Sequence, residues 1–212
     1  MPHHVVEQYR RLAAILNDLQ SQRGVRTLMV SSAAPREGKT LTITNLALTL
    51  SESYQQRVLL IDADLRRPSL HEVLGIVNGP GLSDVVRSGA LEFPSVELTQ
   101  HLSVLTAGRT DSTLLAQLTS ESMKRALAHA ATQFDWVLMD TPPVGLLPDA
   151  QLVERLCEAA IFVIGAGVAP YEFVQRSIAS LGPERIIGTV LNRCDVPPVS
   201  GHDYYSHYHR TP

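Results

Sequence analysis

Apolar residues fall along this chain in two alternating patterns. One is the short unbroken run: Leu28-Met29-Val30, Val58-Leu59-Leu60-Ile61, Trp136-Val137-Leu138-Met139 and AAIFVIGAG from Ala159. Runs of this length, rich in β-branched residues and bounded by turn formers, predict strands buried on both faces. HLSVLTAG, ending at Gly108, and RIIGTVLNR, from Arg185, read the same way. The other pattern is helical. Val5, Tyr9, Leu12, Ile15, Leu16 and Leu19 recur at three- and four-residue spacing, predicting an amphipathic helix that ends near Gly24 and packs on its own domain or on a neighbouring copy, the former being the simpler expectation. Leu41, Leu46, Leu48 and Leu50 predict the buried side of a second helix.

Further helices are expected in GLSDVVRSG, in two pieces around Thr119-Ser120, from about Pro148, and from Tyr171 to Leu181. Strands alternating with helices imply an α/β fold: a doubly wound, mostly parallel sheet with helices on both faces. The expected division is an N-terminal helix (1–24), one α/β domain (25–196) and a tail (197–212) that Pro197-Pro198 sets off.

Composition narrows the functional classes. The chain has 212 residues, 44% of them hydrophobic, enough for one substantial core. A net charge of −3 gives no basic footprint for nucleic acid, so none is expected as a partner. Cys157 and Cys194 are far apart, which suggests buried thiols in a reducing compartment rather than a disulfide framework. The start, MPHHVVEQYRR, has no apolar signal core, and no apolar run reaches the 18 or so residues of a membrane span. A soluble, cytoplasmic protein is expected.

The chemistry concentrates at the carboxyl ends of three predicted strands. After Leu28-Met29-Val30 comes SSAAPREGKT, which opens a helix at Gly38-Lys39-Thr40. Strand, loop and helix in that order form a phosphate-binding loop. Its backbone N–H groups face the phosphates, Lys39 adds a point charge, and Thr40 offers a hydroxyl to Mg²⁺. The first glycine of the full motif is missing, with Ala33 in its place. By itself the tripeptide also fits an ordinary helix N-terminus with a surface lysine. The second strand ends in Asp62-Ala63-Asp64, followed by Arg66 and Arg67. Two carboxylates on one face repel unless a cation or shared proton relieves them, and beside a nucleotide that cation would be Mg²⁺. They could also be solvated caps of the next helix. The third strand ends at Asp140, where nucleotide enzymes place a second acidic group, before Thr141-Pro142-Pro143 turns the chain out of the sheet. Three placements on one sheet edge support nucleotide binding far better than one.

The last stretch, PPVSGHDYYSHYHRTP, carries Tyr204, Tyr205 and Tyr208, half of the six tyrosines. Aromatic residues in a polar tail have no core to fill, whereas phosphoacceptor hydroxyls would explain the clustering. His202, His207 and His209 allow a second reading as a loose metal-binding tail.

Strand-S-x-x-P-x-E-G-K-T, LLIDADLRRP, VLMDTPP and a terminal tyrosine cluster together resemble the bacterial tyrosine kinases of capsular and exopolysaccharide synthesis. These have a P-loop NTPase fold related to division-site and partitioning ATPases. The resemblance runs from about Glu7 to the C-terminus. It implies an ATP- and Mg²⁺-dependent autokinase that phosphorylates its own tail in a neighbouring copy and regulates polymer synthesis and export. Residue by residue, it implies a nucleotide-binding loop from Ser32 through Pro35, Arg36, Glu37, Gly38 and Lys39 to Thr40. Thr40, Asp62, Asp64 and Asp140 would serve the metal, and Asp64 would activate the tyrosine hydroxyl. Lys39, Asp62, Asp64 and Asp140 would form the catalytic set, with Asn192 and Arg193 near the adenine and Tyr204, Tyr205 and Tyr208 as acceptors. The implied partners are a transmembrane co-polymerase or activator, further copies of the chain and a tyrosine phosphatase. The activator would recruit the chain to the inner face of the plasma membrane.

The chain departs from that pattern in three places. Arg36 stands where the family usually has glycine, and its side chain could reach toward phosphate. The helical oligomerisation motif E-x-x-R-x-x-R is matched at Glu7 and Arg10, with Ala13 at its last position. The tail holds three tyrosines where longer clusters are common. The competing reading is a nucleotide-switched ATPase that binds a membrane or protein partner without phosphorylating tyrosine. Ala34 stands where such ATPases carry a signature lysine.

Overall fold

The unbroken apolar runs from Leu28, Val58, Trp136 and Ala159 become strands covered on both faces. In the computed structural model, which describes residues 3–109, 114, 118–145 and 149–194, the sheet has seven strands. They are β1 (Thr27–Ser32), β2 (Val58–Asp62), β3 (Val96–Thr99), β4 (Leu102–Leu105), β5 (Trp136–Asp140), β6 (Ala159–Gly165) and β7 (Ile186–Asn192). One sheet takes them in the order β3-β4-β2-β5-β1-β6-β7. Every neighbouring pair is parallel except β3 with β4.

Alternate side chains along each central strand enter different cores. Leu28, Val30, Leu60, Trp136 and Leu138 pack against α1 (His3–Arg23), α2 (Lys39–Ser53) and α3 (Leu70–Leu74). Met29, Leu59, Ile61, Val137 and Met139 pack against α4 (Leu82–Ser88), α5 (Glu121–Gln133), α6 (Asp149–Glu154) and α7 (Tyr171–Leu181). Each fully buried side chain of this size stabilises the fold by about 1.5–3 kcal/mol. The same alternation directs Asp62 and Asp140 to the α2 side. They are paired neighbours in adjacent strands, so both carboxylates meet the start of the phosphate-loop helix.

Helix ends follow local chemistry. Ser120 caps α5 by accepting from the Met123 N–H at 3.3 Å. Gly75 and Gly89 close α3 and α4 in the left-handed conformation. The earlier helical piece expected before Thr119 lies largely outside the described residues, as do Pro148 and the tail from residue 195.

Some expectations are corrected. Leu41 is 56% exposed; the buried face of α2 is Ile43, Leu46, Ala47 and Leu50. The first turn of α2 projects over the sheet edge, so its Leu41 reaches the mouth of a cavity instead of the core. On α1 the contact centres on Ala13 and Leu16, which are buried against α2 and the sheet, while Ile15 is 56% exposed. The chain 185–193 pairs only from Ile186 to Asn192. β4 stops at Leu105 rather than Gly108, because the Thr106 and Ala107 carbonyls accept from the Leu82 and Ser83 N–H groups of α4. β3 was not expected at all: Val96 and Glu97 are exposed on a sheet edge and give no buried-run signal. Among the described residues, no helix is long and apolar enough to cross a membrane.

Candidate active site

The loop after β1 is held from behind, so that its front is left for a ligand. Arg36 and Gly38 both have left-handed backbone, at φ 65° and 98°, and fold the chain into a tight cradle. Glu37, between them, points into the protein and is fully buried. Its carboxylate accepts from the Ala34 N–H at 2.7 Å and from the Gly165 N–H of β6 at 3.1 Å. Asn192, at the end of β7, donates to the Glu37 carbonyl at 2.9 Å. A Cβ on Gly38 would lie 2.0 Å from the Asn192 side-chain nitrogen, so glycine is required there by space as well as by φ. No side chain caps α2. The N–H groups of its first turn are free to bind an anion.

Two acids at the ends of adjacent strands face that helix start. Asp62 is fully buried and accepts from three backbone N–H groups, those of Asp64, Ser69 and Leu70. It thereby fixes the loop into α3. Burial pushes its carboxyl up to about 6 despite those bonds, and Asp64 adds repulsion. Asp140 is 1% exposed, and its Oδ1 has no hydrogen-bond partner among the described residues. Burial, then repulsion from Asp62, pushes it up to about 7, against the pull of the Thr40 hydroxyl and the Lys39 ammonium. Asp64 is also raised, first by burial, while its bond from the Arg67 N–H and the nearby Lys39 hold it back.

In front of these groups is a cavity of about 700 Å³. Pro35, Arg36, Gly38, Lys39, Thr40, Asp64 and Arg193, all singled out from the sequence, line it. Ser32, Glu37, Asp62, Asp140 and Asn192 stand behind the lining: Ser32 donates to the Ala34 carbonyl at 2.8 Å, and the others act as described above. Tyr204, Tyr205 and Tyr208 lie outside the described residues. Arg66, Arg67 and Ser69 of the α3 loop also line the cavity, with Pro142 and Pro143 from the β5 loop. The arginines were visible after the Asp62-Ala63-Asp64 motif as charges without an assigned place. Lys39 makes no hydrogen bond or ion pair among the described residues, although only 8% of it is exposed. An ammonium that opens onto the cavity with no partner of its own is what a phosphate site needs.

Comparison with known proteins decides the family. Over 203 residues the chain is 31% identical to the tyrosine-protein kinase YwqD of Bacillus subtilis, covering 94% of this chain and 85% of that one. The chain belongs to the bacterial tyrosine kinases. The kinase domain of the Escherichia coli tyrosine kinase ETK has the same architecture, with a TM-score of 0.80 at 28% identity over 92% of this chain and 80% of that chain. The septum site-determining protein MinD of Pyrococcus horikoshii, solved with Mg-ADP, shares the fold at a TM-score of 0.65 and 24% identity, over 84% and 76% of the two chains. No family model matches the chain.

The kinase's donor set fits a nucleotide-bound Mg²⁺. Among the described residues no three His, Cys, Asp or Glu side chains converge as a protein-made metal cage. Mg²⁺ in phosphoryl-transfer sites keeps several waters and relies on phosphate oxygens, so such a cage is not required. What the fold does supply is the unpartnered Asp140 oxygen, which would take a metal-bound water, beside the Thr40 hydroxyl.

Proposed function

We propose that this kinase transfers the terminal phosphoryl group of ATP to Tyr204, Tyr205 and Tyr208 of a neighbouring copy. The observation that carries this reading is the cavity in which Lys39, Thr40 and Asp64 meet in front of Asp140, one of whose oxygens has no partner among the described residues. The loop N–H groups and Lys39 hold the phosphates. Thr40 and Asp140 would hold Mg²⁺, which would supply charge neutralisation when bound. Asp62 serves the metal only indirectly, because its own oxygens are engaged in shaping the loop.

Asp64 takes the tyrosine proton. One of its oxygens is held by the Arg67 N–H, and the side chain lines the cavity. A carboxylate whose affinity for protons is raised by burial is a better acceptor for that proton. Little covalent work is then asked of the protein; positioning and charge carry the step. Arg193 lines the cavity where the base would enter, with Asn192 bracing the loop behind it.

In the cell, tail phosphorylation would regulate exopolysaccharide or capsule synthesis. A transmembrane activator would recruit the kinase to the inner face of the plasma membrane, and a tyrosine phosphatase would reset it. The test is site-resolved mass spectrometry of dephosphorylated protein incubated with Mg-ATP, beside Lys39→Met and Asp64→Asn. Phosphate accumulating on the three tyrosines, and on neither variant, is expected. A clean tail despite ATP hydrolysis, with a membrane activator present, would leave the ATPase switch instead.

A further inference from the structure

Asp149 occupies the first position of α6, and its side chain is only 4% exposed. It was not among the residues that the sequence pointed to. Its one partner among the described residues is Arg66, eighty-three positions earlier in the chain. Both carboxylate oxygens engage the guanidinium: Oδ2 accepts from Nε, and Oδ1 accepts from Nη2 at 3.2 Å. This fork-on-fork geometry fixes the plane of the guanidinium as well as its position.

The pairing is asymmetric. The Arg66 side chain is 45% exposed and lines the phosphate cavity, whereas the carboxylate that holds it is buried. Asp149 takes only one edge of the guanidinium. The remaining N–H groups have no partner among the described residues, and the cavity also contains Asp64. An arginine free at that exposure would sample many rotamers, and ordering it afresh in each cycle would cost entropy. Preorganised charge aimed at the transferred group is the main means by which phosphoryl-transfer sites accelerate reaction.

We propose that Asp149 is a positioning residue that holds the Arg66 guanidinium against the transferred phosphoryl group, beside Asp64. The proposal rests on the phosphoryl-transfer reading of the cavity, and it extends that reading to a residue outside the cavity lining. It makes a specific demand: Asp149 acts only through Arg66. Its removal therefore matters when Arg66 is present and not when Arg66 is absent.

The experiment is a double-mutant cycle of wild type, Arg66→Ala, Asp149→Asn and the double variant. Affinity is measured by calorimetry for Mg-ADP alone and for Mg-ADP with fluoroaluminate, a planar stand-in for the transferred phosphoryl group. Melting curves run alongside, and ADP formation from Mg-ATP supplies kcat and KM. The wild type is expected to bind Mg-ADP more tightly with fluoroaluminate than without. Each single variant should lose roughly tenfold of that gain, with Mg-ADP affinity changed less than about twofold, and the double variant should match Arg66→Ala. In turnover, kcat should fall while KM for ATP moves little.

Full fluoroaluminate gain in Asp149→Asn, or the same Asp149→Asn penalty with and without Arg66, would overturn the proposal. If Asp149→Asn melts below the assay temperature, Arg66→Ala and Arg66→Lys carry the test; an unchanged gain in Arg66→Ala overturns it equally. Both calorimetry and ADP formation are indifferent to which hydroxyl receives phosphate. A wild type that forms ADP with no phosphotyrosine would therefore sink the autokinase reading while the cycle still judges Asp149.

Discussion

Asp62 and Asp140 end neighbouring parallel strands in direct register, on the same face, at nearly identical burial. Their surroundings nevertheless give them different work. The chain after β2 turns back immediately, so its N–H groups at 64, 69 and 70 fall onto Asp62 and consume its acceptor capacity. The chain after β5 leaves through Thr141, Pro142 and Pro143, and its contacts go sideways to β1. The Thr141 hydroxyl donates to the Val30 carbonyl, the Ser31 hydroxyl to the Pro142 carbonyl, and the Val144 N–H to the Ser32 carbonyl. Two of those residues are prolines with no N–H to offer. Asp140 is left with an oxygen unpaired. A carboxylate's role here is set by where the following backbone places its donors.

The contrast can be broken most forcefully at Asp140. Asp140→Asn is expected to lower tail phosphorylation about 10²- to 10³-fold, in line with loss of a positioned electrostatic group. Its melting temperature in the absence of nucleotide should stay the same or rise, since a buried charge has been removed. Kinetics with parallel melting curves check both halves. Asp62→Ala should do the reverse in emphasis. It strips acceptors from three N–H groups, and the fold should lose about 2–3 kcal/mol, read by urea denaturation.

Solution pH sharpens the same comparison. Both carboxyls hold their protons more tightly in the folded protein, at about 6 and about 7, than the ordinary aspartate value of about 3.9 in the unfolded chain. Between those values the folded state binds more protons than the unfolded state, so stability falls as pH rises. Without nucleotide, the melting temperature should therefore have a component that declines from pH 4 and levels off above pH 7. In Asp140→Asn the decline should be shallower over the whole range from about pH 4 to 7, because one of the two buried carboxyls no longer takes up a proton on folding. A scan across pH 4 to 8 for both proteins checks this.

The smallest effect is expected at Arg36, whose φ of 65° costs a non-glycine residue about 1–2 kcal/mol. Arg36→Gly should relieve that strain, partly offset by the greater freedom of glycine in the unfolded chain, for a net gain of up to about 1 kcal/mol. The same substitution removes a cation from the cavity wall, so nucleotide affinity should drop modestly as stability rises. Melting and calorimetry on one preparation would show the two moving in opposite directions.

Much of this was legible in the sequence because strand runs and phosphate-loop chemistry are local. Val58 to Ile61 had to be a covered strand, and the Gly38-Lys39-Thr40 helix start needed only its own neighbours. Glu37 was legible as part of the motif but not in its task, because the Gly165 N–H that it secures lies far along the chain. Asp149 was invisible for the same reason. At a helix start it reads as an ordinary first-turn acid, and only the folded chain brings it to Arg66. Leu41 and Ile15 went the other way: their spacing is helical, but spacing does not say which part of an apolar stripe a neighbour covers.

The most direct test of the central claim mixes two forms of the protein. One carries Lys39→Met with its tail intact; the other keeps the site but has Phe at positions 204, 205 and 208. With Mg-ATP and the membrane activator present, the account predicts time-dependent phosphate on Tyr204, Tyr205 and Tyr208 of the Lys39→Met chain and none when either form is incubated alone. An unmodified tail in the mixture, while wild type under the same conditions forms ADP, would contradict it.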